Sequence, residues 1–183
     1  MNKKNNIFLI FLFFLVSIVA MSTSTVLAQP YGQGVYNANI PYGNETSLSI
    51  ATDGNVTIPI TPTSAGVSAN GSSIITVTST DVQGYELYIR ALSNTALANF
   101  TSTLPASGNA VPASLALNTW GYNTDASSDF VGISLTDTLI RSTTGPVSSG
   151  QNTTVTYGIL LDLAKAAGNY TTTVIYTAVP LTD

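Results

Sequence analysis

Apolar and polar residues alternate with a period of two along much of the chain, and the helical period of 3.6 is nearly absent. The alternation is clearest near the C-terminus, at Val155, Tyr157, Ile159, Leu161 and Leu163. Successive side chains of a strand point to opposite faces of its sheet, so these five residues share one face. The pattern predicts an antiparallel strand with one buried face.

Other alternating or β-branched runs predict the remaining strands. These runs lie at 46–51, 56–60, 73–80, 85–91, 114–118, 130–135 and 169–179. Glycine-containing turns separate them, such as DGN at 53, ANG at 69, TTGP at 143 and AAGN at 166. About eight or nine short strands with such turns predict an all-β fold: an antiparallel β-sandwich of the jelly-roll or Ig-like Greek-key kind.

Two local features stand between the last predicted strands. Residues 162–167, DLAKAA, are good helix formers and predict a single helical turn before Gly168. Tyr170 enters the last strand after that glycine, which is typical of a tyrosine corner, where the hydroxyl bonds to upstream backbone. The alternative is that Tyr170 only packs at a strand end.

The stretch 169–179, NYTTTVIYTAV, contains neither a charge nor a proline. Threonine, valine, isoleucine and tyrosine favour strands, and sheet edges are normally protected by lysine, proline or a bulge. The run at 73–80 is equally unprotected. Either both strands lie inside a sheet, or one of them is an edge that is left open for another chain.

The N-terminus has the order of regions found in a secretory signal. Lys3 and Lys4 precede the apolar run 7–21, and a polar stretch follows it. We predict a signal peptide at 1–28 with cleavage after Ala28, and therefore a secreted protein at the cell surface or outside the cell. The apolar run is shorter than the roughly 20 residues of a membrane-spanning helix. Extended to Ala28 it would reach that length, so an uncleaved membrane anchor is the alternative.

The segment 29–44, which we call the arm, differs in composition from the rest of the chain. It is uncharged, rich in glycine, tyrosine and asparagine, and contains two prolines. Tyr36, Ala38 and Ile40 alternate with asparagines and predict a short strand without a hairpin partner nearby in the sequence. We predict that the arm is extended and donates this strand, and that 45–183 forms the sandwich domain.

Charge and composition exclude several classes of function. After the predicted signal, three basic side chains stand against nine carboxylates, so nucleic acid and anionic membrane are unfavourable partners. The chain has no histidine and no cysteine, and so lacks the usual base for a nucleophile, the usual zinc ligands and any disulfide. No carboxylate pair for glycoside hydrolysis is singled out by its surroundings. We predict a protein that is not an enzyme and that needs no metal or cofactor.

Asparagine sequons are the most frequent motif. They are Asn44, Asn55, Asn70, Asn99, Asn152 and Asn169. Attached sugars would replace charge as the solvating layer of a chain with only 8% charged residues.

The run NTDASSD is similar to the first half of a calcium loop. Asn123, Asp125, Ser127 and Asp129 place an oxygen at every second residue. Serines stand where such a loop requires glycine and a closing glutamate. We therefore predict a turn rich in side chain to backbone hydrogen bonds and no metal site.

Trp120 and Tyr122 flank a glycine and are the best candidates for carbohydrate contact. Aromatic faces bind the CH groups of a sugar, and Asp125 nearby would accept bonds from its hydroxyls. The alternative is that Trp120, the single tryptophan of the chain, belongs to the core.

Four stretches in order carry a resemblance to a known group. They are ITPTSAG (60–66), SIITVTSTDVQGYELYI (73–89), LNTWGY (117–122) and VTYGILLDLAKAAGNYTTTVIYTAV (155–179). Together they resemble small secreted β-sandwich surface proteins of bacteria and archaea. More distantly, the chain is similar to biofilm-fibre subunits of the TasA and camelysin kind and to archaeal pilus and thread subunits. The resemblance implies an extracellular sandwich, and the distant one implies subunits joined when a terminal strand completes the sheet of the next subunit.

These observations lead to one expected function and one alternative. The first is a structural subunit of an extracellular filament (a pilus, thread or biofilm fibre) or of a surface layer. It would form a homopolymer by donating the strand at Tyr36, Ala38 and Ile40 to the next subunit. The alternative is a monomeric cell-surface adhesin or carbohydrate-binding module, with glycans as partners.

Overall fold

The computed structural model describes residues 47–182, which form nine β-strands and no helix. The strands are β1 (Ser47–Thr52), β2 (Val67–Thr80), β3 (Gly84–Ala91), β4 (Leu97–Ala98), β5 (Thr103–Leu104), β6 (Thr119–Asn123), β7 (Thr138–Ser142), β8 (Val147–Leu161) and β9 (Val174–Leu181). The predicted signal, the arm with Tyr36, Ala38 and Ile40, and the sequon at Asn44 lie outside the described residues.

Two antiparallel sheets pack face to face as a sandwich, which confirms the predicted fold class. The four-stranded sheet has the order β1-β2-β8-β6, and the three-stranded sheet has the order β7-β3-β9. The short pair β4-β5 forms a separate hairpin. The longest ladder joins β2 to β8, from Val67↔Leu161 to Ser79↔Val147.

The core consists of the inward-facing residues of both sheets, as the alternation predicts. Ile75 and Val77 of β2, Leu87 and Ile89 of β3, and Val155 of β8 are fully buried. Burying one such side chain contributes roughly 1.5–3 kcal/mol. Polar side chains also join the layers, since the Tyr85 hydroxyl of β3 donates to the Gln151 side chain of β8 at 2.7 Å.

The predicted strand at 56–60 and the predicted turn at 69 are both wrong, and for one reason. Residues 56–60 form no ladder, although their alternate side chains are partly buried. Val56 and Ile58 pack onto β2 at Gly71, where an added Cβ would lie 2.9 Å and 3.0 Å from their side chains. Gly71 makes room for this crossing segment and does not form a turn, so β2 continues through it.

The predicted strands at 114–118 and 130–135 are also absent as ladders. Residues Ala113 and Phe130 form an isolated bridge, and Val131 forms another with Tyr122 of β6. Val131 thus lies along the edge of β6, while the Phe130 ring packs over Gly121 and Gly158 on the outer face of the four-stranded sheet. The strand that pairs with β8 is β6, immediately after the first predicted run.

The segment between β8 and β9 differs from its prediction in two respects. Residues 162–167 form a turn that is not helical. The ladder of β9 begins only at Val174, and Thr171 makes a single bridge to Ala98. The predicted bond of the Tyr170 hydroxyl to upstream backbone is present, because it donates to the Ala166 carbonyl at 2.8 Å.

Candidate strand-acceptor edge

Strand β9 lies at the edge of the three-stranded sheet. Within residues 47–182 it pairs with β3 alone, from Gly84↔Leu181 to Ala91↔Val174. The other unprotected run belongs to β2, which lies between β1 and β8 and is therefore interior. Strand β2 is therefore interior, and β9 is an edge strand within residues 47–182.

The hydrogen-bond pattern shows which backbone groups of β9 face outward from the sheet. Leu92 donates to the Thr173 carbonyl, whereas Tyr85 exchanges bonds with Thr143 on the β7 side of β3. Because antiparallel pairing alternates, odd-numbered residues of β9 bond to β3 and even-numbered ones face the open side. The open side therefore offers the N–H and C=O groups of Val174, Tyr176 and Ala178.

Pro180 limits this edge at its C-terminal end. Pro180 is even-numbered like Ala178, so its backbone nitrogen also faces the open side of β9. Proline has no N–H, and a strand that joined β9 would find no donor there. The usable edge is thus a window of five residues, 174–178.

The inward side chains along this edge are less well covered than those of the neighbouring strand. Val174, Tyr176 and Ala178 pack against the core but remain partly exposed. Their partners on β3 include Leu87 and Ile89, which are fully buried. The core is therefore incompletely closed on the β9 side.

Strand β1, an edge strand of the other sheet, also has an inward residue that is incompletely covered. β1 and β9 face each other across the sandwich, with Cα atoms within 8 Å. Ile50 of β1 is paired with Val77 and shares its inward face, yet Ile50 is 40% exposed and Val77 is fully buried. In the described part of the chain, one sheet has four strands and the other three, and β1 and β9 are the edge strands that approach each other.

Two of the other sheet edges are covered or protected. Along β6, Trp120 bonds with the backbone of Pro105 and Ser107, and Tyr122 exchanges two 2.9 Å bonds with Val131. β7 is short, its ladder contains a bulge, and it carries Arg141, all of which are features that discourage strand addition.

Neither β1 nor β9 contains a charged residue. The nearest carboxylate is Asp53, directly after β1, which accepts a 2.7 Å hydrogen bond from the Ser73 hydroxyl. That bond lowers the pKa of Asp53 and keeps the group ionised. After burial, the charge of Asp53 also raises the pKa of Tyr176, so a strand added at 174–178 would pass one carboxylate near the middle of its window.

Two tyrosines connect the edge to the core. The hydroxyls of Tyr157 on β8 and Tyr176 on β9 form a hydrogen bond across the sandwich. Burial raises the pKa of both groups, to about 12 for Tyr176. Both tyrosines are therefore neutral at physiological pH, and they fix the distance of β9 from the four-stranded sheet.

The described sequons are spread over loops and the outer sheet face. Asn55, Asn70, Asn152 and Asn169 are exposed. The side-chain oxygen of Asn99 instead accepts bonds from the backbone N–H groups of 101 and 102. None of these asparagines lies within β1 or β9, so sugars on them would leave both strands themselves unmodified.

The residues proposed to contact glycans do not form an exposed platform. Trp120 is 3% exposed and Tyr122 is 4% exposed, and the Trp120 indole N–H donates to the Thr95 carbonyl at 3.0 Å. Asp125 lies in an exposed turn, where it accepts a bond from the Ser127 N–H. This geometry supports the core interpretation of the aromatic pair and the turn interpretation of NTDASSD.

Residues 47–182 contain no candidate for two other kinds of site. This part of the chain contains no group of three or more histidine, cysteine, aspartate or glutamate side chains that could hold a metal ion. No helix of the described segment is long and apolar enough to cross a membrane.

Sequence reasoning missed two residues that define the edge, Pro180 and Ile50. The alternation of Val174, Tyr176 and Ala178 continues to Pro180, and this was the available signal that the strand ends at a proline. The exposure of Ile50 had no signal in the sequence, because it depends on the number of strands in the opposite sheet.

No family model matches the chain, and no curated protein matches it significantly.

Proposed function

We propose that the protein is a structural subunit of an extracellular filament or surface layer, and that it polymerises by donating an N-terminal strand to the next subunit. The observation that carries this proposal is the open, uncharged edge of β9, with half-covered core residues behind it. Soluble proteins normally protect such an edge against a second chain.

Strand addition would supply both strength and direction. Backbone hydrogen bonds hold a donated strand in the sheet, and its alternate side chains fill the space between the layers. Each subunit then has a donor at one end and an acceptor at a different place. Such a head-to-tail contact does not close on itself unless the rotation returns, so it produces a fibre.

The arm is the donor in this proposal, through Tyr36, Ala38 and Ile40. A full-length test compares two substitutions in the chain that begins at Gln29. Ala38→Asp places a charge on the apolar face of the donor, whereas Asn37→Asp places the same charge on the opposite face. We expect fibres by negative-stain electron microscopy from the unchanged chain and from Asn37→Asp, and monomers from Ala38→Asp.

A chain that begins at Glu45 provides the complementary test, since it lacks the arm. Size-exclusion chromatography with light scattering should show a monomer at every concentration. Fibres from this shortened chain would overturn the proposal, as would a chain beginning at Gln29 that stays monomeric. In the second case, binding of that monomer on a glycan array would support the adhesin alternative.

A further inference from the structure

We propose that the acceptor for the donated strand is the window Val174–Ala178 of β9, filled by residues Tyr36–Ile40 of a second copy of this chain. This assignment rests on the proposed function and names its acceptor. The place that it fills is the open side of β9, the edge strand of the smaller sheet.

The choice of β9 over β1 follows from what each edge would bury. A strand added to β1 would give five strands against three, and so would leave more of the larger sheet without an opposing strand. A strand added to β9 would instead give four strands against four, beside the edge at which Ile50 of β1, an inward residue, is 40% exposed. Covering apolar surface favours association by about 25 cal/mol per Å².

The lengths of donor and acceptor agree. Pro180 ends the row of outward-facing N–H groups, which leaves 174–178 as a five-residue window. In the arm, Tyr36 to Ile40 is also five residues long and is followed directly by Pro41. Tyr36, Ala38 and Ile40 would then share the inward face with Val174, Tyr176 and Ala178.

A second copy fits this window better than the arm of the same molecule. The arm leads into β1, which belongs to the four-stranded sheet, while the window belongs to the other sheet. Six residues, 41–46, separate Ile40 from β1 and span at most about 20 Å when extended. Within one molecule these residues would have to pass from one sheet to the other, whereas the arm of a neighbour is not restricted in this way.

Cysteine cross-linking tests the assignment, because the chain has no native cysteine. One chain carries Ala38→Cys and a second carries Ala178→Cys, and the two are mixed, allowed to assemble and oxidised mildly. Same-face residues on paired strands have Cβ atoms about 4.5–5.5 Å apart, close to disulfide geometry. We expect disulfide-linked heterodimers on a non-reducing gel, here or with the register neighbours Tyr176→Cys or Val174→Cys.

The matched controls lie on the same strand and on the other edges. Thr177→Cys lies on β9 but on the opposite face, so we expect at least a tenfold lower yield with Ala38→Cys. Ile50→Cys on β1 and Ile140→Cys on β7, which face the core on two other edges, should also give low yields. Fibres that cross-link through β1 or β7 and not through β9 would overturn the assignment and leave strand donation intact.

Binding of the arm to β9 of its own molecule would give a different result. A single chain with both Ala38→Cys and Ala178→Cys would close its own disulfide at every concentration, and the mixed single variants would form no heterodimer. That outcome overturns the assignment to a second copy. If the chain beginning at Gln29 also forms no fibres, the proposed function fails as well.

Discussion

The ring of Phe130 occupies the space that a side chain on Gly158 would need. A Cβ placed on Gly158 would lie 2.4 Å from the ring Cζ atom, and both residues are buried. Gly158 is paired with Gly121 on β6, where an added Cβ would also lie 3.2 Å from the Phe130 Cβ. Two glycines on paired strands thus hold an aromatic ring on the outer face of the four-stranded sheet.

The first prediction is that Gly158→Ala destabilises the protein by about 1–3 kcal/mol, the usual cost of overpacking a buried site. The added methyl group displaces Phe130 and loosens the segment that contains it. Chemical denaturation followed by circular dichroism measures the free energy of unfolding. The matched control is Gly145→Ala, where no atom lies within 4 Å of the new Cβ and little change is expected. Equal stability of the two variants would contradict the packing argument.

Local pattern alone predicted much of this sandwich. The alternation identified the buried faces of β3 and β8, because the side-chain period of a strand is two wherever the strand lies. In the run 56–60, which it predicted as a strand, Val56, Ile58 and Ile60 do pack against the core, although they form no ladder. A period of two in hydrophobicity shows which side chains are buried. It does not show whether the backbone forms hydrogen bonds with a neighbouring strand.

The remaining features depend on contacts distant in sequence. Gly71 and Gly158 each suggest a turn or a weak strand position when read locally, yet each accommodates a side chain from another segment. The open edge of β9 follows from the strand order, which places three strands opposite four. The sequence could therefore identify the uncharged strand, and only the topology could assign it to an edge.

The second prediction concerns alkaline pH and the Tyr157–Tyr176 pair. Burial raises the folded-state pKa of both hydroxyls, to about 12 for Tyr176, above the unfolded value of about 10. Between these values the unfolded chain releases protons that the folded protein retains, so stability falls as pH rises. Thermal melts should show a midpoint that declines steeply above about pH 10. Tyr176→Phe should lessen that decline, and an unchanged slope would contradict the role of this residue.

The third prediction concerns acidic pH and two surface carboxylates. The pKa of Asp162 is lowered, first by the Ala164 N–H and then by the Asn118 amide, and the Ser73 hydroxyl does the same for Asp53. Their stabilisation is complete above the unfolded pKa of about 4 and is lost as pH falls below it. Because both groups are at the surface, we expect a small decrease in the melting midpoint, confined to that acidic range. Asp162→Asn should reduce the decrease, and a loss that already begins near neutral pH would contradict this account.

The fourth prediction separates the two sides of β9 with proline. The Ala178 N–H faces the open edge, so Ala178→Pro removes a donor that β3 does not use. Pro180 is another residue of β9 whose nitrogen faces the open edge, which shows that the strand accepts proline at such positions. We expect Ala178→Pro to keep nearly the same melting midpoint as a monomer and to form no fibres, because an arriving strand loses one of the few backbone donors in its window.

Thr177→Pro is the matched variant on the adjacent residue. The Thr177 N–H faces β3, so proline there leaves the paired carbonyl of Tyr88 without its donor. The cost of that loss is about 1–3 kcal/mol, and the folded monomer should melt correspondingly earlier. Melting curves and electron microscopy of both variants therefore distinguish edge blocking from loss of fold. The two variants differ chiefly in whether the lost N–H faces the open edge or β3. Fibres from Ala178→Pro would therefore show that assembly does not use the open edge of β9.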